Sequence, residues 1–108
     1  MIQVIPAILP TSFDELTEKV ERVADLVSLV QVDIVDGVFA PEATWPFKND
    51  PEGVFEKLRS GELKLPHSDR VNYELDLMVR APEVMLESWF EAGFSQFIIH
   101  VESTEDVA

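Results

Sequence analysis

The most constraining feature of this sequence is the regular alternation of short apolar runs with longer polar-and-apolar segments along its 108 residues. Within the runs, apolar side chains recur at every second position, as they do along one face of a strand. In the first segment between runs, apolar residues recur at steps of three and four, as on one helix face. The sequence therefore predicts the order β-α-β-α-β-α-β. That order is typical of an α/β fold with parallel strands joined by right-handed crossovers.

Turn and capping signals set the bounds of the predicted elements. The predicted strands cover residues 1–9, 28–35, 73–79 and 96–102. The first predicted helix begins at a capping box at Ser12 and ends near Leu26. The second begins at Asp50-Pro51 and ends at Gly61, and the third begins at Ala81-Pro82 and ends at Gly93. The polar segment 62–69 is predicted to be an exposed insertion.

The charge of the chain limits the partners that it can have. A formal net charge of -13 repels nucleic-acid phosphates and anionic membranes, so neither is expected as a partner. A phosphorylated substrate remains compatible, because backbone N–H groups can hold a phosphate in an acidic surround. The chain has no cysteine, no apolar run near the roughly 20 residues of a membrane helix, and no signal-peptide pattern. We therefore expect a cytoplasmic protein without disulfides.

Three predicted strands end with polar residues on the face opposite their apolar residues. These pairs are Gln31 and Asp33, Glu74 and Asp76, and His100 and Glu102. Burying a carboxylate is costly unless it is paired, hydrogen-bonded or bound to a cation. From spacing alone, a functional site and a ring of solvated, mutually paired residues explain this pattern equally well.

Other residues have a structural interpretation beside a functional one. Asp36-Gly37 is an ordinary turn signal, and Met78 suits a core. Trp45 and Phe47 either cover a pocket or fill the base of a loop. No glycine-rich nucleotide loop, C-x-x-C or nucleophile elbow is present. The residues alone thus indicate an α/β unit with a convergent acidic cluster and no assigned reaction.

Four segments, taken together and in order, resemble the ribulose-phosphate 3-epimerase family. They are Ile5-Pro-Ala-Ile-Leu9 with Ser12-Phe-Asp-Glu-Leu16, Val32-Asp-Ile-Val-Asp-Gly-Val-Phe-Ala-Pro41, Asp76-Leu-Met-Val-Arg-Ala-Pro82, and His100-Val-Glu102. The second, close to V-D-V-M-D-G-x-F-V-P, is the most specific. The resemblance implies a partial (β/α)8 TIM barrel in which residues 1–108 form the N-terminal half.

The implied barrel is larger than this chain. A barrel of this kind has eight strands and about 250 residues, so four strands cannot close it. An unclosed sheet leaves two strand edges open to unwanted pairing. We therefore expect the sequence to be truncated, with a half-barrel that pairs with another copy or another chain as the alternative.

The resemblance also implies an activity and its residues. Members of the family are isomerases of carbohydrate metabolism that epimerise a pentose phosphate at C3 by metal-assisted proton abstraction. Asp33 matches an aspartate that is both metal ligand and acid/base. Ala7, Met78 and the turn Asp36-Gly37 match positions expected to bind the sugar-phosphate substrate.

Two departures bear on the expected metal. Gln31 and Asp76 stand where the family has two metal-binding histidines. With Asp33 they form an oxygen-rich set that suits Mg or Mn better than Zn, and Gln31 is the weakest of the three expected ligands. The chain itself is expected to be inactive. The alternative function is a non-catalytic sugar-phosphate or partner-binding protein on the same scaffold, and a homo-oligomer is compatible with either.

Overall fold

The fold is a parallel sheet with helices in its crossovers, seen in a computed structural model that describes residues 5–38 and 42–99. The strands are β1 (Ala7–Ile8), β2 (Leu29–Val35), β3 (Asn72–Met78) and β4 (Gln96–Ile99). The helices are α1 (Phe13–Val23), α2 (Val54–Ser60) and α3 (Leu86–Glu91), and a 3-10 turn at Pro82–Val84 precedes α3. All neighbouring strands are parallel, in the order β1-β2-β3-β4. The predicted α/β fold, consistent with a partial TIM barrel, is confirmed.

The two faces of the sheet differ in what covers them. Along β2 and β3, one set of alternating residues is fully buried: Val30, Val32, Ile34, Leu75 and Leu77 are all 0% exposed. Buried residues of all three helices belong to the same core, among them Leu16, Val20, Leu58 and Trp89. Most of the intervening residues, among them Gln31, Asp33, Glu74 and Asp76, are only half-buried, whereas Val35 at the end of β2 is buried. The predicted alternation in β2 and β3 is therefore confirmed, and the helices pack on one face.

The strand bounds differ from the predicted ones. Of the described residues in the predicted first strand 1–9, only Ala7–Ile8 form a strand, and the second strand begins at Leu29, not at residue 28. The third strand begins and ends one residue earlier than predicted. The predicted first strand included residues 1–4, and the predicted fourth strand included residues 100–102; both stretches lie outside the described residues. The same holds for His100 and Glu102, the third of the predicted polar pairs. No helix in the described part of the chain could span a membrane.

Helix α1 begins where the sequence predicts and ends earlier. The Ser12 hydroxyl accepts a hydrogen bond from the Glu15 backbone N–H at 3.1 Å, which satisfies a free donor of the first turn. The Glu15 carboxylate accepts bonds from the backbone N–H and the hydroxyl of Thr11, both at 3.1 Å. The Thr11 backbone bond is the main cause that lowers the pKa of Glu15. The helix ends at Val23, not near Leu26, and a turn follows it in which the N–H groups of Leu26 and Val27 both donate to the Val23 carbonyl.

The predicted start of α2 at Asp50-Pro51 is wrong. The helix begins at Val54, with Gly53 as its cap. Asp50 nevertheless acts as a capping side chain from outside the helix, because its carboxylate accepts from the backbone N–H groups of Val54 at 2.9 Å and Phe55 at 3.2 Å. A carboxylate at this end also meets the positive end of the helix dipole. The predicted end of the helix at Gly61 is confirmed.

Trp45 lies in the core and does not cover a pocket. Its side chain is 0% exposed and stacks against Phe13 and Phe55, with ring centroids at 5.3 and 6.2 Å. Its indole N–H donates to Asp50 at 3.2 Å. Of the two interpretations left open by the sequence, the structure supports the one in which Trp45 fills the base of the loop, whereas Phe47 is partly exposed.

The segment 62–69 is more than an exposed insertion. Leu65 is buried, and its side chain lies against Gly93. His67 Nε2 lies 2.7 Å from Glu21 Oε1 of α1, and the neighbouring Arg70 pairs with Asp25 at 2.6 Å. This segment therefore holds the connection before β3 against the end of α1.

Candidate functional site

The candidate site is the sheet face that the helices do not cover, called here the open face. It carries Ala7 of β1, Gln31 and Asp33 of β2, and Glu74, Asp76 and Met78 of β3. The register pairs Ala7 with Gln31, Gln31 with Glu74, Asp33 with Asp76, and Val35 with Met78. Register partners on neighbouring strands lie side by side, about 4.8 Å apart. The structure thus brings together five of the seven predicted site residues: Ala7, Gln31, Asp33, Asp76 and Met78.

Gln31 and Asp33 are joined directly. The Gln31 amide nitrogen Nε2 donates a hydrogen bond to Asp33 Oδ1 at 2.8 Å. The two residues are two apart on one strand, so their side chains project from the same face. Both side chains are half-buried, which leaves them in reach of a small molecule on the open face.

Asp33 and Asp76 place two carboxylates next to each other near the C-terminal edge of the sheet. Both are half-buried, and Asp76 takes part in further interactions. In parallel α/β barrels, catalytic groups come from this edge of the sheet. A carboxylate positioned there is able to take a proton from, or return one to, a bound substrate.

Asp36 and Gly37 lie in the loop directly after β2. The two carboxylate oxygens of Asp36 accept backbone N–H groups, from Val38 at 2.8 Å and from Arg80 at 2.9 Å. Gly37 is exposed, with φ +84°, and lies against Ala43. The structure therefore gives Asp36 a role in joining two loops, and substrate contact by Asp36 and Gly37 stays a prediction.

Ala7 and Met78 mark two ends of the open face. Ala7 is exposed, and its small side chain leaves space beside Gln31. Met78 is half-buried at the last position of β3, two residues after Asp76. Ala7 therefore borders Gln31 and Met78 lies beyond Asp76, and their contact with a substrate stays a prediction.

Sequence reasoning missed Thr44, which fixes the loop beside the site. Thr44 is only 3% exposed, and its hydroxyl accepts the Val35 N–H at 3.0 Å and donates to the Trp45 carbonyl at 2.9 Å. The Thr44 N–H donates back to the Val35 carbonyl at 2.8 Å, and the Trp45 N–H donates to the Pro10 carbonyl at 3.1 Å. The loop thus returns to the ends of β1 and β2. A single threonine in a loop gives no sequence signal for this role.

A shallow cleft between the starts of α1 and α2 is separate from the open face. Its lining includes Asp14, Asp50 and Glu52, and none of the predicted site residues. The open face therefore remains the better candidate for a sugar-phosphate site.

The residues present do not fit the metal centre that the family resemblance implies. Within residues 5–38 and 42–99, no group of three or more His, Cys, Asp and Glu side chains is arranged to hold a metal ion. His67, the one histidine in those ranges, pairs with Glu21 on the far side of the fold. The open face offers the carboxylates of Asp33, Glu74 and Asp76 and an amide whose N–H points at Asp33. An imidazole-based zinc site does not match this set.

Comparison with known proteins agrees with the fold and the order of these residues. The family model described as the ribulose-phosphate 3 epimerase family matches residues 3–108. A ribulose-phosphate 3-epimerase from Candida glabrata is 29% identical over 111 residues, covering 95% of this chain. The chain spans 44% of the length of that relative. The match extends over the strands, the open face and the loops that follow it, and this chain belongs to the ribulose-phosphate 3-epimerase family.

Proposed function

We propose that the full-length protein carrying this chain epimerises a pentose phosphate at C3, with Asp33 as a proton-transferring group. The observation that carries this proposal is the position of Asp33 on the open face, two residues before the end of β2 and beside Asp76. Membership of the family supplies the reaction class. The chain would form the first four strands of a complete barrel, with the three helices that connect them.

Asp33 would remove the proton from the carbon next to the substrate carbonyl, which leaves an enediolate. Return of a proton to the opposite side of that carbon gives the epimer. A second acid, together with the groups that hold the phosphate, would come from the other half of the barrel. Ala7 would leave room for the sugar, and Met78 would provide an apolar wall beside it.

The test is the exchange of the C3 proton with solvent. The full-length protein is incubated with ribulose 5-phosphate in deuterium oxide, and deuterium at C3 and formation of the epimer are followed by NMR. Asp33→Asn should lower the rate by about 10²- to 10⁴-fold, the usual contribution of a general acid or base. Asp69→Asn, at an exposed loop position, is the matched control and should keep the wild-type rate. An unchanged rate in Asp33→Asn would show that the proposal is wrong.

The 108-residue chain alone should show no epimerisation under the same conditions. It would provide Asp33 without the second acid and without the phosphate-holding loops. Activity of the isolated chain equal to that of the full-length protein would contradict the division of the site between two halves of a barrel.

The second candidate function is binding of a sugar phosphate without turnover. It is favoured by one observation, that Gln31 and Asp76 occupy the positions of the two family histidines. Calorimetry with ribulose 5-phosphate would then give similar affinities for the wild type and Asp33→Asn. Deuterium would not enter C3 in either protein, which separates this function from the first.

A further inference from the structure

The bond between Gln31 and Asp33 has only one chemically sensible orientation. An ionised carboxylate is solely an acceptor, whereas an amide has a donating nitrogen and an accepting oxygen. The 2.8 Å contact to Asp33 Oδ1 must therefore come from the amide N–H, as observed. The amide oxygen, the only atom of Gln31 that could bind a metal, is consequently turned away from Asp33.

The neighbours of Gln31 leave this bond undisturbed. Ala7 lies on one side in β1 and has no side-chain polar group, and Glu74 lies on the other side in β3. A carboxylate at Glu74 is an acceptor as well, so it does not compete for the Asp33 oxygen. Glu74 would instead attract the second N–H of the same amide.

We infer that Gln31 is the positioning residue for Asp33, and that its amide N–H holds the carboxylate in place of a transition metal. This inference rests on the proposed function, because it concerns the carboxylate to which that function assigns the proton transfer. In metal centres, a bound cation fixes the orientation of such a carboxylate. Here the hydrogen bond from Gln31 to Oδ1 fixes the Asp33 carboxylate. Gln31 does not occupy the other oxygen, Oδ2, which can therefore accept the substrate proton.

The first test measures metal binding and does not depend on activity. The full-length wild-type protein is titrated with Co(II), a spectroscopic substitute for zinc, and its visible absorption bands are followed. In the wild type we expect no visible bands that would indicate a site binding about one Co(II) ion per protein molecule. Gln31→His supplies an imidazole next to Asp33 and Asp76 and should raise the Co(II) affinity by about tenfold or more, the size of effect that even outer groups have on metal affinity.

A matched control is available on the same face. Gln96 of β4 is the register partner of Glu74, and it therefore lies two strands away from Gln31. Gln96→His adds the same imidazole, about 10 Å from the Gln31 position by strand spacing, and should leave Co(II) binding unchanged.

The second test separates positioning from a structural role. Gln31→Met keeps the length of the side chain and removes the N–H donor. It should lower kcat by about tenfold with KM within twofold and the unfolding midpoint nearly unchanged, because the substrate is still bound but Asp33 is no longer held. Gln96→Met should alter none of the three values.

The outcomes decide between the possibilities. Near-stoichiometric metal in the purified wild type that is lost in Asp33→Asn would overturn the inference, and so would a wild-type kcat in Gln31→Met. If the protein shows no epimerase activity, the proposed function fails. The Co(II) titrations of the wild type and Gln31→His would then still show whether Gln31 occupies the position of a metal ligand.

Discussion

Asp36 and Arg80 join the loops that follow β2 and β3, although they are 44 positions apart in the sequence. Oδ2 of Asp36 accepts the backbone N–H of Arg80 at 2.9 Å, and Oδ1 accepts that of Val38 at 2.8 Å. One carboxylate therefore fixes the two loops directly beyond Asp33 and Asp76. The contact lies directly after Val35 and Met78, the last register pair of the two strands.

Replacement of Asp36 should destabilise the fold and disturb the site together. Asp36→Ala removes the acceptor of two backbone N–H groups, and we expect the free energy of unfolding to fall by about 1–2 kcal/mol, since the contact is partly exposed. Asp36→Asn keeps one accepting oxygen and should lose about half as much. Urea denaturation measures both changes. Asp69→Ala, in an exposed loop, should stay within about 0.5 kcal/mol of the wild type.

Asp50 should matter more for stability than its loop position suggests. It accepts hydrogen bonds from two backbone N–H groups at the start of α2 and from the buried indole of Trp45. Asp50→Ala leaves that indole without its acceptor, so we expect a loss of about 2–3 kcal/mol in the free energy of unfolding. Glu52→Ala, at a nearby exposed position, is the control. Equal stability of the two variants would contradict the capping role.

Two glycines with positive φ should differ in their response to alanine. Gly61→Ala meets no atom within 4 Å and carries only the left-handed backbone penalty of about 1 kcal/mol. Gly93→Ala, at φ +116°, also places its Cβ 3.0 Å from Leu65 Cδ1, and we expect a loss of about 2–3 kcal/mol. In a Leu65→Ala background the cost of Gly93→Ala should shrink by about 1 kcal/mol, as a double-mutant cycle would measure.

Stability at alkaline pH should depend on Tyr73. This residue is 1% exposed, and burial raises the pKa of its phenol above the ordinary value. The pKa of the phenol is therefore higher in the folded than in the unfolded state. The stability that this phenol contributes is fully present below about pH 10, the unfolded pKa, and falls as the pH rises toward the folded pKa. The fall is at most about 1.4 kcal/mol per pH unit. Urea denaturation between pH 8 and pH 11 measures it.

Tyr73→Phe is the control for that pH dependence. The phenol donates to the Pro66 carbonyl at 2.6 Å, so the variant should be less stable by about 1 kcal/mol at pH 8. Its stability should decline less steeply above pH 10 than that of the wild type. Because Tyr73 is the only tyrosine of the 108 residues, tyrosinate absorbance of this chain reports on that group alone. If the free energies of unfolding of the wild type and Tyr73→Phe fell equally with rising pH, Tyr73 would not be the group that causes the fall.

The fold could be predicted wherever local patterns determined it. The alternation in β2 and β3 identified which side chains face the helices, and Ser12 and Gly61 marked helix ends correctly. The start of α2 was misjudged because Asp50 caps it from outside, across a turn closed by Gly53. Leu65 was missed because two leucines, Leu63 and Leu65, in a polar segment are too few to give a periodic signal.

The placement of candidate residues on one face was predictable, but their hydrogen bonds were not. Strand alternation placed Gln31, Asp33 and Asp76 on one face, and the register confirms that they are neighbours. The hydrogen bond from Gln31 to Asp33 depends on side-chain rotamers, which spacing does not specify. The contact between Asp36 and Arg80 depends on two loops meeting, which requires the assembled sheet.

The strand order has a consequence for synthesis on the ribosome. Since the four described strands pair in the order in which they are made, each of them after the first finds its neighbour already present when it leaves the exit tunnel. Register partners such as Gln31 and Glu74 are nevertheless far apart in sequence, so each pairing can form only after the whole crossover between the two strands has been made. We expect the sheet to grow in one direction, from β1 toward β4, with the most recently added strand serving as the template for the next.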